Sequence, residues 1–219
     1  MPKKRSCCYW YPDLQQGVLD KVYGDALHCI GHMQDNQWRI YPEELYYFTQ
    51  QGYLDVYLTT KESTKIHTAE EVLHYFITTC HFPIEIFLGY GHLMQRGYIA
   101  QRDNEGQCPT IDWKENLGER IGWKVYSKTT HFHKNSPGEM EMYVYLCRYE
   151  DPIPPLGEWK MWMESWEMKQ IQFMIFDCMG QIQRMAVQDG QFCSPLEEHE
   201  TKKSSKKENE TKKEELKIQ

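Results

Sequence analysis

Between Arg120 and Gly138 the chain carries four cations, Arg120, Lys124, Lys128 and Lys134, and no acidic residue. Trp123, Tyr126 and Phe132 interleave with them, as do the imidazoles of His131 and His133. Cations attract phosphate oxygens and aromatic faces stack on bases, so this mixture suits RNA or a single strand. The same composition also fits a half-exposed strand that runs into a solvated loop. His131 and His133 have the spacing of two residues on one face of a strand, which would suit a metal ion. No further ligand cluster accompanies them, and no metal or other cofactor is expected. Tyr126, the histidines and Lys169 also supply the residue types of a metal-free acid–base set. In RNA cleavage a base takes the 2′-hydroxyl proton, an acid protonates the leaving oxygen, and a cation stabilises the crowded phosphorane. Residue types alone do not establish such a set, because Tyr, His and Lys are common. No nucleophile elbow and no glycine-rich phosphate loop accompanies them.

The elements that must hold these groups read as an α/β (α+β) chain. Val18–Tyr23 and Ala26–Ile30 flank Gly24-Asp25, a two-residue hairpin turn by composition. Tyr41–Gln51 reads as a helix, with Pro42 at its first position and Gly52 as its stop. Tyr53–Leu58 alternates as a strand. Thr68-Ala69-Glu70-Glu71 fits a capping box opening a helix to about Cys80, with Val72, Leu73, Phe76 and Ile77 on one face. Pro83 opens a further helix that stops at Gly97, and Tyr98-Ile99-Ala100 is a short strand. Trp123–Ser127 and Met140–Arg148 read as strands around Pro137-Gly138, and Leu156–Met168 as an amphipathic helix. Ile171–Phe176 and Gln181–Val187 form a strand pair. In the second of these, Ile182, Arg184 and Ala186 share one face and Met185 and Val187 the other. Nothing after it reads as a strand, so it is expected to end its sheet with an open edge.

These elements suggest a flexible basic start (residues 1–16), a mixed N-terminal domain (17–102), a linker (103–118), a C-terminal domain (119–190) and a charged tail (191–219). From Pro195 onward the tail holds seven Lys and seven Glu and almost nothing apolar, so it is expected to add nothing to a core. Its charges cancel, and the body therefore carries the whole net charge of −7. That balance excludes a uniformly basic nucleic-acid binder but not a local basic patch. At 40% hydrophobic residues the chain can bury a real core, which excludes wholesale disorder. No apolar run suits a membrane span, and no secretory signal is read at the start. The eight cysteines lack zinc spacing and are expected to be reduced thiols. Lys3-Lys4-Arg5 and the lysine pairs of the tail would serve as nuclear import signals or as plain solubilising charge.

Several stretches, taken in order, resemble tRNA-splicing endonuclease subunits. They are Arg39-Ile40-Tyr41-Pro42-Glu43-Glu44-Leu45, Gly52-Tyr53-Leu54, Thr68-Ala69-Glu70-Glu71-Val72, and Phe87 through Arg102 with its Arg96-Gly97-Tyr98-Ile99 exit. The likeness continues in Trp123-Lys124-Val125-Tyr126, Phe132-His133-Lys134-Asn135-Ser136-Pro137-Gly138, and Ile171–Asp177 with Gly180. It spans about residues 17–190. Within the family, the Phe-x-Lys-x-x-Pro-Gly stretch is similar to the non-catalytic Sen fifty-four type. Tyr126 matches the family's tyrosine, and Lys169 stands at the offset of its lysine. His133, followed by Lys-Asn-Ser-Pro-Gly, is displaced from where the catalytic histidine would stand.

The resemblance implies a tRNA-intron-endonuclease-like C-terminal domain with a mixed sheet. It also implies a nuclear structural subunit of a heterotetramer that removes introns from precursor tRNA, with the catalytic and structural subunits as partners. On this reading Arg120, Lys124, Lys128 and Lys134 contact RNA. Ile182, Arg184, Met185 and Val187 lie where the terminal strands of two subunits pair. Two rivals remain open at this level. One is a catalytic subunit using Tyr126, His133 and Lys169 to leave 2′,3′-cyclic phosphate and 5′-hydroxyl ends. The other is a protein–protein adaptor without RNA contact, which the net charge of −7 favours.

Overall fold

The computed structural model describes residues 4–24, 27–59, 64–66, 68–103, 122–127, 137–149, 156–165, 168, 170–177, 179–188 and 191–193. Two six-stranded mixed sheets organise these residues, and the fold is α+β. The first sheet contains β1 (Ser6–Tyr11), β2 (Gln16–Lys21), β3 (His32–Gln34), β4 (Gln37–Ile40), β5 (Leu54–Leu58) and β6 (Thr64–Ile66), in the order β3-β4-β2-β1-β5-β6. Helices α1 (Pro42–Gln50) and α2 (Ala69–Thr78) supply Leu45, Phe48, Val72 and Phe76 to its core, where they meet Trp10, Leu54 and Val56. Trp10 is fully buried, and its ring lies 4.5 Å from that of Phe76.

Local chemistry fixes the two helix starts. Pro42 occupies the first turn of α1, and the Glu44 carboxylate accepts from the Tyr41 N–H and the Gly31 N–H, each at 2.8 Å. Buried Glu44 thus satisfies two main-chain donors. In α2, Thr68 Oγ1 accepts from the Glu71 N–H, and Glu71 accepts in return from the Thr68 N–H, both at 3.1 Å. Thr68→Ala should therefore cost about 0.5–2 kcal/mol of stability in urea denaturation. A loss below that range would mean that packing of Val72 and Phe76 fixes the helix start without the cap.

The second sheet contains β7 (Tyr98–Arg102), β8 (Gly122–Ser127), β9 (Met142–Arg148), β10 (Ile171–Phe176), β11 (Ile182–Gln188) and β12 (Gln191–Cys193), ordered β12-β11-β10-β9-β8-β7. Its one parallel pair, β9 with β10, is connected through α4 (Leu156–Ser165), as parallel neighbours require a crossover. The two faces of this sheet are covered differently. Helix α3 (Ile84–Gln95) packs Ile86, Tyr90 and Leu93 against Trp123, Val144, Met174 and Phe176. On the other face Met163 of α4 joins Met168, Tyr143, Tyr145, Ile171, Phe173 and Val187. Helix α3 also sends Phe87 into the first core, where it stacks on Phe76 at 5.9 Å.

Four expectations need correction. Residues 1–16 are not a flexible start: β1 lies inside the first sheet, antiparallel to β2 and parallel to β5, with Ser6, Cys8 and Trp10 buried. β2 forms no hairpin with residues 27–30, which are not a strand, because β2 pairs with β1 and β4. The tight hairpin joins β3 and β4 instead, at Asp35 and Asn36, whose φ values of 51° and 58° suit their short polar side chains. The domain boundary does not fall at 102/103. β7 pairs with β8, and Asp103, placed in the linker, donates its N–H to the Gly122 carbonyl at 3.1 Å. Finally, β11 does not end its sheet, since β12 pairs with its Ala186–Gln188 stretch. The short β12 escapes sequence reading because three residues carry too little periodicity. The remainder of the linker, residues 150–155 and the tail beyond Cys193 lie outside the described residues.

Candidate nucleic-acid interface

Strand β8 carries two of the residues singled out for chemistry, and the fold uses both internally. Alternation along β8 turns Trp123 and Val125 into the core under α3. Lys124 points the other way, and its Nζ lies 3.2 Å from Asp103 Oδ1, in ion-pair contact though off the direction of a hydrogen bond. The Asp103 side chain is only 3% exposed and also accepts from the Tyr143 hydroxyl at 3.4 Å. The charge of Lys124 is thus matched within the fold. Tyr126 is buried; that burial first, and the negative charge of Asp103 second, raise its pKa above the ordinary phenol value. The shift reinforces the protonated form that a phenol already holds at neutral pH, and burial is what removes the side chain from solvent. Arg120, Lys128, His131, His133, Lys134 and Lys169 lie outside the described residues.

The residues expected where terminal strands pair face both sides of the sheet, as their alternation requires. Ile182 packs toward the α3 side of the sheet, whereas Met185 packs with the α4-side cluster that holds Val187. Val187 is fully buried and is a core residue of its own chain. The division follows from the two-residue period of a strand.

Two features escaped sequence reading. Glu43 of α1, with a fully buried side chain, accepts two hydrogen bonds from Arg102 of β7, at 2.9 and 2.8 Å, and a longer one of 3.4 Å from Trp123 Nε1. The Arg102 guanidinium also lies over the Tyr41 ring, 4.4 Å from its centroid. Separated by 59 residues, Glu43 and Arg102 give no local signal of their pairing. The second feature is an open groove of about 570 Å³ lined by Ile84, Leu88, Tyr149 and Phe176, with the Glu85–Arg148 ion pair at 2.8 Å on its wall. Tyr149 there is 73% exposed. Among the described residues no group of three His, Cys, Asp or Glu side chains converges to hold a metal ion. Compared with models of protein families and with curated proteins, the sequence matches none.

Proposed function

We propose that the chain is a non-catalytic structural subunit of the tRNA-splicing endonuclease, acting in the nucleus to support a catalytic partner and to position precursor tRNA for intron excision. The observation that carries this reading is the succession of family-like motifs, kept in order across about residues 17–190. The burial of Tyr126 favours the non-catalytic form, since a buried phenol is closed to a phosphate. The sequence after His133 favours it too, because Lys-Asn-Ser-Pro-Gly separates that histidine from the following strand.

Affinity purification from cells, with identification of the proteins that come with the chain, tests the reading. Catalytic and structural endonuclease subunits should co-purify in fixed ratio; a preparation without them removes the proposal. Within the assembled complex, His133→Ala should leave intron excision within a few-fold of the unmodified chain. Removing a true general acid would cost about 10²–10⁴-fold. A loss of that size in an intact complex would establish the catalytic rival instead.

A further inference from the structure

Two arginines and a histidine lie together on the α3 face of the second sheet. His92 and Arg96 are one turn apart on α3 and so share a side of the helix. Helix α3 runs close over the sheet: a Cβ at Gly89 would stand 3.2 Å from the Met174 sulfur of β10. Next to β10 lies β11, where Met174 pairs with Arg184. Arg184 shares its strand face with Ile182, which packs into the cluster under α3. Arg184 is half-buried, Arg96 is exposed, and the buried Nε2 of His92 has no hydrogen-bond partner.

Two features of this arrangement call for an anion. Like charges held together at the edge of a core repel, and folded chains ordinarily place a carboxylate between them. Among the described residues, however, neither guanidinium makes an ion pair with a carboxylate. The same repulsion bears on protonation. Burial first, then the charges of Arg96 and Arg184, lower the pKa of His92 to about 4, and burial followed by Arg96 lowers that of Arg184. The remaining titratable group facing Arg184 is Tyr98 of β7. Guanidinium groups present planar forks of donors that match phosphate oxygens, and a bound anion would remove the repulsion.

We propose that Arg96 and Arg184, with His92 beside them, form a site for a backbone phosphate of RNA, an inference that rests on the RNA-positioning role proposed above. The site uses the opposite end of α3 from the apolar groove. Anion binding must favour the protonated form of His92, so its pKa rises on binding. By linkage, the affinity for a phosphodiester then increases as pH falls toward about 4.

Two measurements on the full chain test this. In the first, tRNA binding is followed against salt for the unmodified chain, the Arg96→Gln/Arg184→Gln double variant and Arg184→Lys. The double variant should flatten the salt slope by about 0.7–0.9 for each lost contact, while Arg184→Lys, which keeps the charge, should retain most of it. In the second, the His92 ring is titrated by NMR with and without dimethyl phosphate, which does not itself titrate in this range. The His92 pKa should move up from about 4 in the unmodified chain and stay in place in the double variant. If tRNA binds and the double variant keeps the full slope, the site is overturned and the RNA role stands. If tRNA does not bind but dimethyl phosphate still moves His92, the anion site stands and its assignment to RNA falls. If neither probe has an effect, both are overturned.

Discussion

A chain lacking residues 1–11 should fail to form its first sheet. Those residues contain β1, which bonds to β2 on one side and β5 on the other. Its removal would split the sheet into β3-β4-β2 and β5-β6 and leave two raw edges where none existed. It would also strip the core of Cys8 and Trp10, both fully buried. The ties at the start of β1 would go as well: the Ser6 N–H donates to the Tyr53 carbonyl at 2.9 Å, and Ser6 Oγ accepts from the Tyr23 N–H at 2.8 Å. The point variant Trp10→Ala isolates the packing share of this effect and should cost about 3–5 kcal/mol, because the rings of Phe76 and Phe82 cannot close over the space it leaves. Urea denaturation for Trp10→Ala, and near-ultraviolet circular dichroism for the truncated chain, give the readouts. A truncated chain with unchanged near-ultraviolet signal and midpoint would show that β1 is dispensable.

Arg102→Met is expected to be the most damaging single substitution among the polar residues. The Glu43 side chain is fully buried, whereas Arg102 is 18% exposed, so the two partners are not equivalent. Losing Arg102 strands a carboxylate inside the protein with only Trp123 Nε1, at 3.4 Å, still directed at it. Breaking a buried pair from one side in this way costs about 3–5 kcal/mol. Losing Glu43 leaves a guanidinium that can turn toward solvent and stay over the Tyr41 ring, so Glu43→Leu should cost less. The double variant, Glu43→Leu with Arg102→Met, should be more stable than Arg102→Met alone, since no unpaired charge is then left buried. Urea midpoints of the four chains measure the coupling. Strictly additive losses would mean that the pair contributes no coupling between α1 and β7.

The elements that local chemistry specifies were readable in the sequence. Pro42 and Gly52 bracket α1, and the Gly52 φ of +75° shows why glycine stands at that stop. Thr68 and Glu71 announce their reciprocal cap within four residues. Gly97, at a φ of +81°, closes the turn from α3 into β7. The antiparallel pair β10–β11 follows from alternation on either side of a short turn. In each of these cases the information sits within one or two turns of chain, where propensity and capping act.

Tertiary structure alone decided which strands are neighbours and which polar groups are already engaged. β1 reads as a basic, cysteine-rich start because its value lies in pairing with β5, nearly fifty residues away, and the side chains Ser6 and Cys8 give no hydrophobic period. Lys124 reads as a free cation on a basic segment until Asp103, across the β7–β8 pair, takes up its charge. Tyr126 has the residue type of an acid–base group, but burial, a property of the whole packing, holds its proton in place. Alternation sets Ile182 and Val187 on opposite faces, but only the helix packed on each face makes both of them part of cores within the chain. Arg184 shows the converse: it stands in an ordinary strand sequence, and only the crossing of α3 over the sheet brings His92 and Arg96 beside it. Charge and burial are set by neighbours in space, and sequence order fixes those neighbours only where the chain returns to itself within a few residues.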